Sequence, residues 1–329
     1  MHSAWVALFL FLWFAITALI CKTAYLVYNL TVRCSELSLR GGFKPSWIPF
    51  LRGVGPTSKL PRLFDLFFNG LTAAPLRLAT FFLCAVSAGV CSLVLPGSAL
   101  VMLTRLLSRI AMHALNIRLV EHGRRASRLE ASCIVSNHVS FVDVLGLLSR
   151  GCSFVAKDSV RDIPCVGRVA SAIGCIFVAR DSKESRQSAR DAIFEHFQTI
   201  KQWSQLVIFP EGTITNGEGL LQFRRGGFEA CMPVQPVRIE YSNLQVSMSL
   251  INIYELLCFL CCMPPTEMHL HYLPVITGGN AEELASQCRE AIATVKGLRA
   301  LKLYGLESFR DERECSSFVK RDVQYTDNN

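Results

Sequence analysis

The sequence predicts an α/β fold: a mostly parallel sheet flanked by helices, behind an N-terminal helical region that embeds in a membrane. Three observations carry this reading. Two long apolar runs without charge fall within the first 104 residues. After Arg105, short runs rich in β-branched residues alternate with helical stretches. Polar residues with chemical capacity then stand just past three of the strand ends. The chain divides accordingly into residues 1–104, 105–305 and a polar, loosely ordered tail at 306–329.

The first apolar run extends from Ala4 to Cys21 and is closed by Lys22. About eighteen apolar residues are near the minimum for a helix that spans a bilayer. No basic residue precedes the run and no Ala-x-Ala-like site follows it, which favours an anchor (span 4–21) over a cleaved signal peptide. Basic residues gather on its C-terminal side, at Lys22, Arg33, Arg40, Lys44 and Arg52. The positive-inside rule then puts the N-terminus in the lumen and the rest in the cytosol. On that topology the sequon Asn29-Leu30-Thr31 is cytosolic and unmodified. A second uncharged run, Leu78–Thr104 (78–104), lies between Arg77 and Arg105. Pro96-Gly97 inside it breaks a straight helix. A re-entrant hairpin with both ends cytosolic satisfies both features; a single span is the alternative, and would invert one anchor.

Composition supports membrane contact. Hydrophobic residues make up 51% of the 329 and charged residues only 18%, too apolar for an ordinary soluble domain. The net charge of +8 is unevenly placed: up to Glu130, 14 Lys/Arg face 4 Asp/Glu, whereas beyond it 20 face 22. The basic excess surrounds the apolar runs and suits anionic headgroups, at roughly 1 kcal/mol per basic residue near the surface. Nucleic acid fits poorly as a partner, because these residues lack interleaved aromatics and a reading motif. The 14 cysteines show no disulfide framework and read as buried thiols in a reducing compartment. Cys258, Cys261 and Cys262, followed by His269 and His271, have the ligand types of a zinc site. They belong to the apolar run Leu256–Cys262, however, and no second cluster accompanies them, so no metal is expected.

Beyond Arg105 the expected strands are Ser132–Ser136, Ser153–Ala156, Cys175–Ala179, Leu206–Phe209 and Val234–Tyr241. Helical stretches lie between and after them, notably Ser182–Trp203 and Ala281–Leu298. In sheets of this kind, loops at the strand ends collect functional residues. His138 follows one strand, Arg180 another and Glu211 a third.

Two motifs carry the chemistry. Asn137-His138-Val139-Ser140-Phe141-Val142-Asp143 supplies a histidine with a carboxylate five positions on. Neutral imidazole takes a proton from an alcohol, while a carboxylate fixes its tautomer and stabilises the imidazolium. That spacing alone is weak evidence. Phe209-Pro210-Glu211-Gly212-Thr213 is far more specific, arising by chance at about one position in a million. There Pro210 ends a strand, Gly212 permits a tight turn, and exposed amides can meet an anion. No Gly-x-Ser-x-Gly motif is present, so a covalent serine hydrolase is unsupported. Direct attack by a substrate hydroxyl is what remains.

These residues resemble the glycerophospholipid acyltransferase family, which contains lysophosphatidic acid and lysophosphatidylcholine acyltransferases. Four blocks match in order: Asn137 to Asp143; Lys157, Pro164, Gly167 and Gly174 leading to Ile176-Phe177-Val178-Ala179-Arg180; Phe209 to Thr213; and Pro233-Val234-Gln235-Pro236-Val237. The resemblance covers roughly Arg118 to Ala300. Thr213-Ile214-Thr215-Asn216-Gly217 and Phe223-Arg224-Arg225-Gly226-Gly227-Phe228 are similar to the lysophosphatidylcholine-type branch. Lysophosphatidic acid enzymes commonly carry a basic residue where Ile214 stands; Arg224 and Gly227 depart from the branch's usual Lys and Ala.

The resemblance implies an acyl-CoA-dependent O-acyltransferase that acylates a lysophospholipid hydroxyl. His138 would be the general base and Asp143 its orienting acid. Arg180, Glu211, Gly212, Thr213 and Lys157 would bind substrate, although Lys157 reads equally well as a solvated surface residue. No bound cofactor is implied, acyl-CoA being a co-substrate. The partners implied are membrane lipids, a lysophospholipid acceptor and the acyl-CoA donor. The expected location is the endoplasmic reticulum membrane, with the catalytic domain facing the cytosol. Alternatives are a lysophosphatidic acid acyltransferase, a CoA-independent transacylase and, least of all, a dead scaffold, which intact His138, Asp143, Arg180 and Glu211 oppose.

Overall fold

Four helices lead the chain: α1 (His2–Leu39), α2 (Leu63–Thr72), α3 (Ala74–Cys91) and α4 (Gly97–Ala114). The structure is a computed structural model that describes residues 2–39, 62–178, 190–196, 205–243, 246–248, 251–295 and 298–301. Lys22 bounds the apolar run in sequence but does not end α1, because lysine is a good helix former and breaks no backbone hydrogen bond. The helix changes environment instead. Trp5, Phe11 and Phe14 are exposed, whereas Thr17, Ile20, Ala24, Val27 and Thr31 are buried. Those five recur every three or four residues and so form one helical face. That face packs against α2 and against the later helix Ile253–Cys262.

Among the described residues, two helical segments are long and apolar enough to cross a membrane, Leu10–Val32 and Ala74–Cys91. The first overlaps the run 4–21 and includes the buried stripe of α1. The uncharged run 78–104 is divided between α3 and α4, which pack on each other. Pro96, at ψ 155°, sits in extended backbone as the N-cap of α4. A missing N–H does no harm there, where no intrahelical partner is required.

The remainder alternates strands with helices: β1 (Ile117–His122), β2 (Cys133–Ser136), α5 (Phe141–Leu148), β3 (Ser153–Lys157), α6 (Val166–Ala172) and β4 (Ile176–Val178). Next come α7 (helical over 190–196), β5 (Leu206–Ile208), β6 (Gly219–Leu220), β7 (Val234–Tyr241) and α8 (Ile253–Cys262). β8 (Thr266–Tyr272), α9 (Ala281–Thr294) and β9 (Arg299–Ala300) complete it. Seven strands form one sheet in the order β1-β8-β7-β2-β5-β3-β4, and β6 pairs with β9 apart from it. Within the large sheet only β7 and β8 run antiparallel. The fold class is the one the sequence implies.

β2 is central and buried at all four positions, as a parallel strand covered on both faces must be. Ile134, Val142, Val237, Ile239 and Phe259 pack on one face beneath α5 and α8. Cys133, Val135, Leu206, Leu284 and Cys288 pack on the other, beneath α9. Cys261 and Cys262 are wholly buried in α8. Among the described residues, no three His, Cys, Asp or Glu side chains gather as a metal site. Of the expected helix Ser182–Trp203, only 190–196 is described; the tail 306–329 lies outside the described residues.

Register puts functional residues side by side. Cys133 of β2 aligns with Leu206 of β5 and Val234 of β7, so the C-terminal ends of these three parallel strands open on the same edge.

Candidate active site

At that edge β2 gives way to Asn137 and His138. Asn137 continues the sheet with its side chain: Nδ2 donates to the Ile239 carbonyl at 2.9 Å, and Oδ1 accepts from the Ile239 N–H at 2.7 Å. This pins the loop to β7 before the chain turns into α5.

The His-x4-Asp spacing is the geometry of a helix start. Asp143 is the third residue of α5, where a carboxylate folds back to accept the unpaired amides of the first turn. Its Oδ2 accepts the Val139 N–H at 2.6 Å and the Ser140 N–H at 2.9 Å. The same oxygen lies 2.8 Å from His138 Nδ1. Asp143 has no exposed surface, while 17% of the His138 side chain is exposed. The imidazole stacks on Phe209 with ring centroids 4.1 Å apart and planes 15° apart. A buried carboxylate on one edge and an aromatic ring on one face leave the imidazole little rotational freedom.

Glu211 stands at the end of β5 and is fully buried. Its Oε1 accepts the His138 backbone N–H and its Oε2 the Leu221 backbone N–H, each at 3.0 Å. Burial pushes its carboxyl up to about 8, against the pull of those two amides, which favour the charged form. The site gains a second tether from Thr215, whose N–H donates to the His138 carbonyl at 2.9 Å. Gly212 adopts φ +73°, which favours glycine, and a Cβ there would lie 2.8 Å from Arg224 Nε, at the far end of that side chain.

The structure thus brings His138, Asp143, Glu211 and Gly212 together. Thr213 follows in the same turn, partly exposed. Lys157 is exposed at the C-terminal end of β3, two strands from β2 and opposite Val178 of β4. Arg180 lies outside the described residues. Glu211, expected among the substrate-binding residues, gives its two oxygens to the His138 and Leu221 main-chain amides.

Tyr241 was not legible as a site residue. Its hydroxyl donates to Asp143 Oδ1 at 2.5 Å across 98 positions of sequence. Nothing in its own neighbourhood signals this, because the contact exists only once β7 lies beside β2. Phe209 was visible as part of a motif, but not as the surface beneath the imidazole.

Residues 118–240 match the model of the Acyltransferase family. The chain is similar to the lysophospholipid acyltransferase LPEAT1 of Arabidopsis thaliana, 34% identical over 189 residues that cover 54% of this chain and 47% of that protein. It is likewise similar to a lysophosphatidylcholine acyltransferase of Drosophila melanogaster, 32% identical over 54% of this chain and 35% of that one. Lysophosphatidylcholine acyltransferase 1 of Homo sapiens is 30% identical over 55% and 36%, respectively. The matched segment thus spans less than half the length of each of these relatives. Among solved structures, the 1-acyl-sn-glycerophosphate acyltransferase PlsC of Thermotoga maritima shares the fold, with a TM-score of 0.52 at 18% identity over 68% of this chain and 95% of that one. The similarity to the acyltransferase family is thus carried by residues 118–240 of the chain.

Proposed function

We propose that the protein is a membrane-bound, acyl-CoA-dependent O-acyltransferase that esterifies the free hydroxyl of a lysophospholipid. The observation that carries this reading is the His138–Asp143 contact at 2.8 Å on the open edge of the sheet. With Nδ1 facing Asp143, Nε2 is the nitrogen left to meet a substrate. Nε2 takes the hydroxyl proton as the oxygen attacks the thioester carbonyl, and Asp143 stabilises the imidazolium. The new C–O bond forms, the C–S bond breaks, and the departing thiolate takes the proton from His138 to give free CoA. Glu211 and Thr215 position the base through its own backbone. Arg180 and Lys157 supply positive charge to the acceptor phosphate, and Thr213 borders the acceptor beyond the Gly212 turn.

A lysophospholipid acceptor fits the names of the relatives and the apolar N-terminal helices. Ile214, in place of a basic residue, favours an acceptor whose phosphate carries a headgroup. The basic residues between Lys22 and Arg52 favour a cytosolic catalytic domain on the endoplasmic reticulum. Purified protein given labelled acyl-CoA and a panel of lysophospholipids should form labelled diacyl phospholipid and release CoA. Transfer that proceeds equally well without acyl-CoA, from intact phospholipid donors, would defeat the assignment of the donor.

A further inference from the structure

Asp143 accepts from four donors, unevenly shared between its oxygens. Oδ2 receives His138 Nδ1 and the amides of Val139 and Ser140, and Oδ1 receives the Tyr241 hydroxyl. An ionised carboxylate offers about two acceptor positions on each oxygen, so Oδ2 is crowded while the Tyr241 phenol is the one donor of the four on Oδ1. Three belong to the chain segment that carries the motif. The fourth comes from the end of β7 and is the one contact in the set that depends on tertiary packing. Tyr241 is 4% exposed and its hydroxyl has this single partner in the structure. Burial, and then the charge of Asp143, holds the phenol well above its usual range, so it remains a donor.

We infer that Tyr241 is a positioning residue for the His138 base: its phenol anchors Oδ1 of Asp143, leaves Oδ2 to the imidazole, and limits how strongly the carboxylate pulls on the imidazole proton. This rests on the reading of His138 as the base. The physical argument is one of shared charge. A strong donor on Oδ1 draws negative charge from the carboxylate, so less remains to stabilise the imidazolium. Without the phenol, Asp143 becomes a stronger acceptor, the imidazolium is favoured, and the histidine holds its proton to higher pH. Fewer molecules then carry a free base at neutral pH. Ionisable groups near the pair include Glu211, which holds the His138 backbone, Arg289 of α9, which acts on Glu211, and Arg224 beside Gly212. None of these touches the Tyr241 hydroxyl, so its removal leaves them in place.

The test uses the full chain in detergent micelles with ¹³C-labelled histidine, the His138 resonance being assigned by its loss in His138→Ala. In Tyr241→Phe the midpoint of the His138 titration should lie above that of the wild type. Turnover at neutral pH should fall about two- to threefold, with KM for both substrates nearly unchanged, and raising the pH should restore part of the loss. A second variant guards against a folding defect. 3-Fluorotyrosine at position 241 keeps the shape, makes the phenol a stronger donor, and should shift the midpoint the other way. Coincident His138 titrations in wild type and both variants would overturn the inference, whatever happens to turnover. Because the titration is read without substrate, it still decides the role of Tyr241 if the wild-type protein fails to acylate lysophospholipids, a failure that would count against the proposed function alone.

Discussion

Glu211 holds His138 by its backbone and not by its ring. The glutamate of the Phe-Pro-Glu-Gly-Thr turn reaches from β5 to the loop after β2 and accepts the His138 N–H at 3.0 Å. Its other oxygen holds Leu221, ten residues further on, so one buried side chain locks two loops against each other.

Burial raises the Glu211 carboxyl to about 8, and the sign of the pH effect follows. The folded state keeps a proton that the unfolded chain has lost, so this group's contribution to stability is greatest in acid. It declines as pH rises from the unfolded value near 4.5 to about 8. Glu211→Gln cannot titrate, but it offers only one acceptor oxygen to two amides, at a cost of about 1–3 kcal/mol. The variant should melt lower than wild type at pH 5, and the gap should narrow towards pH 8. Melting curves recorded at intervals across that range check it; a constant gap would show that Glu211 does not titrate there.

Asp143→Asn and His138→Ala should both lose turnover and keep the fold. In Asp143→Asn the amide oxygen can keep the Val139 and Ser140 amides while its NH₂ donates to the Tyr241 hydroxyl, which accepts as well as donates, so the fold should be retained. Turnover should nevertheless fall by several powers of ten, because a neutral amide does not stabilise the imidazolium as a carboxylate does. His138→Ala should abolish transfer while leaving the melting temperature and membrane association nearly unchanged, since the other three donors to Asp143 remain. Near-normal turnover in either variant would remove His138 from the role of base.

Gly212→Ala should be costly for a small substitution. The φ of +73° disfavours any side chain by about 1–2 kcal/mol, and the new Cβ would press on Arg224 Nε. Arg224 is contacted at the far end of a flexible side chain and can shift, so the backbone conformation carries most of the cost. Lower stability of that order, together with reduced turnover, is expected from paired melting and rate measurements. Gly226→Ala is the control, because a Cβ there would meet nothing within 4 Å.

The legible part of this molecule is the part whose signals are local. β2, β3, β5 and β7 are written as β-branched runs, and the His138–Asp143 spacing is a helix start that two neighbouring turns define. β1 and β8 escaped because each carries one polar face. Arg118 and His122 on β1, and Glu267, His269 and His271 on β8, interrupt any apolar run, while Ile117 on β1 and Thr266, Met268, Leu270 and Tyr272 on β8 are buried. Lys22 closes the uncharged run in sequence, but the packed stripe from Thr17 to Thr31 is set by which residues face α2 and α8 and is not written in the charge pattern. Tyr241 could not be found from its surroundings, since nothing short of the β2–β7 register brings it to Asp143.

Two truncations should separate the roles of α1. Removal of residues 2–16 takes away the exposed, apolar N-terminal part and leaves the buried stripe. It should weaken binding to liposomes in flotation while the melting temperature holds. Extending the cut through Asn29 also removes Ile20, Ala24 and Val27, which are each 2% exposed. Emptying those positions against α2 and α8 should cost several kcal/mol, by analogy with roughly 2–5 kcal/mol for one large buried side chain. Membrane binding should persist in part even then, because Ala74–Cys91 remains. Equal melting temperatures for the two truncations would show that α1 does not pack as described.

Arg180 offers the sharpest test of how an acceptor is held. It lies outside the described residues, but it follows Val178, the last residue of β4, which pairs with Lys157 of β3. The chain therefore enters the Arg180 segment from the same sheet edge on which His138 and Gly212 stand. A charge-assisted contact to phosphate contributes roughly 1.5–3 kcal/mol. Arg180→Ala should then weaken apparent acceptor affinity by about one to two powers of ten and change acyl-CoA affinity far less. Arg180→Lys should recover only part, because an ammonium lacks the planar fork that meets two phosphate oxygens at once. Kinetics with both substrates varied will decide between donor and acceptor. A loss that falls mainly on acyl-CoA would move Arg180 to the donor site, and Lys157, exposed at the end of the neighbouring strand, would become the cation to test against the acceptor.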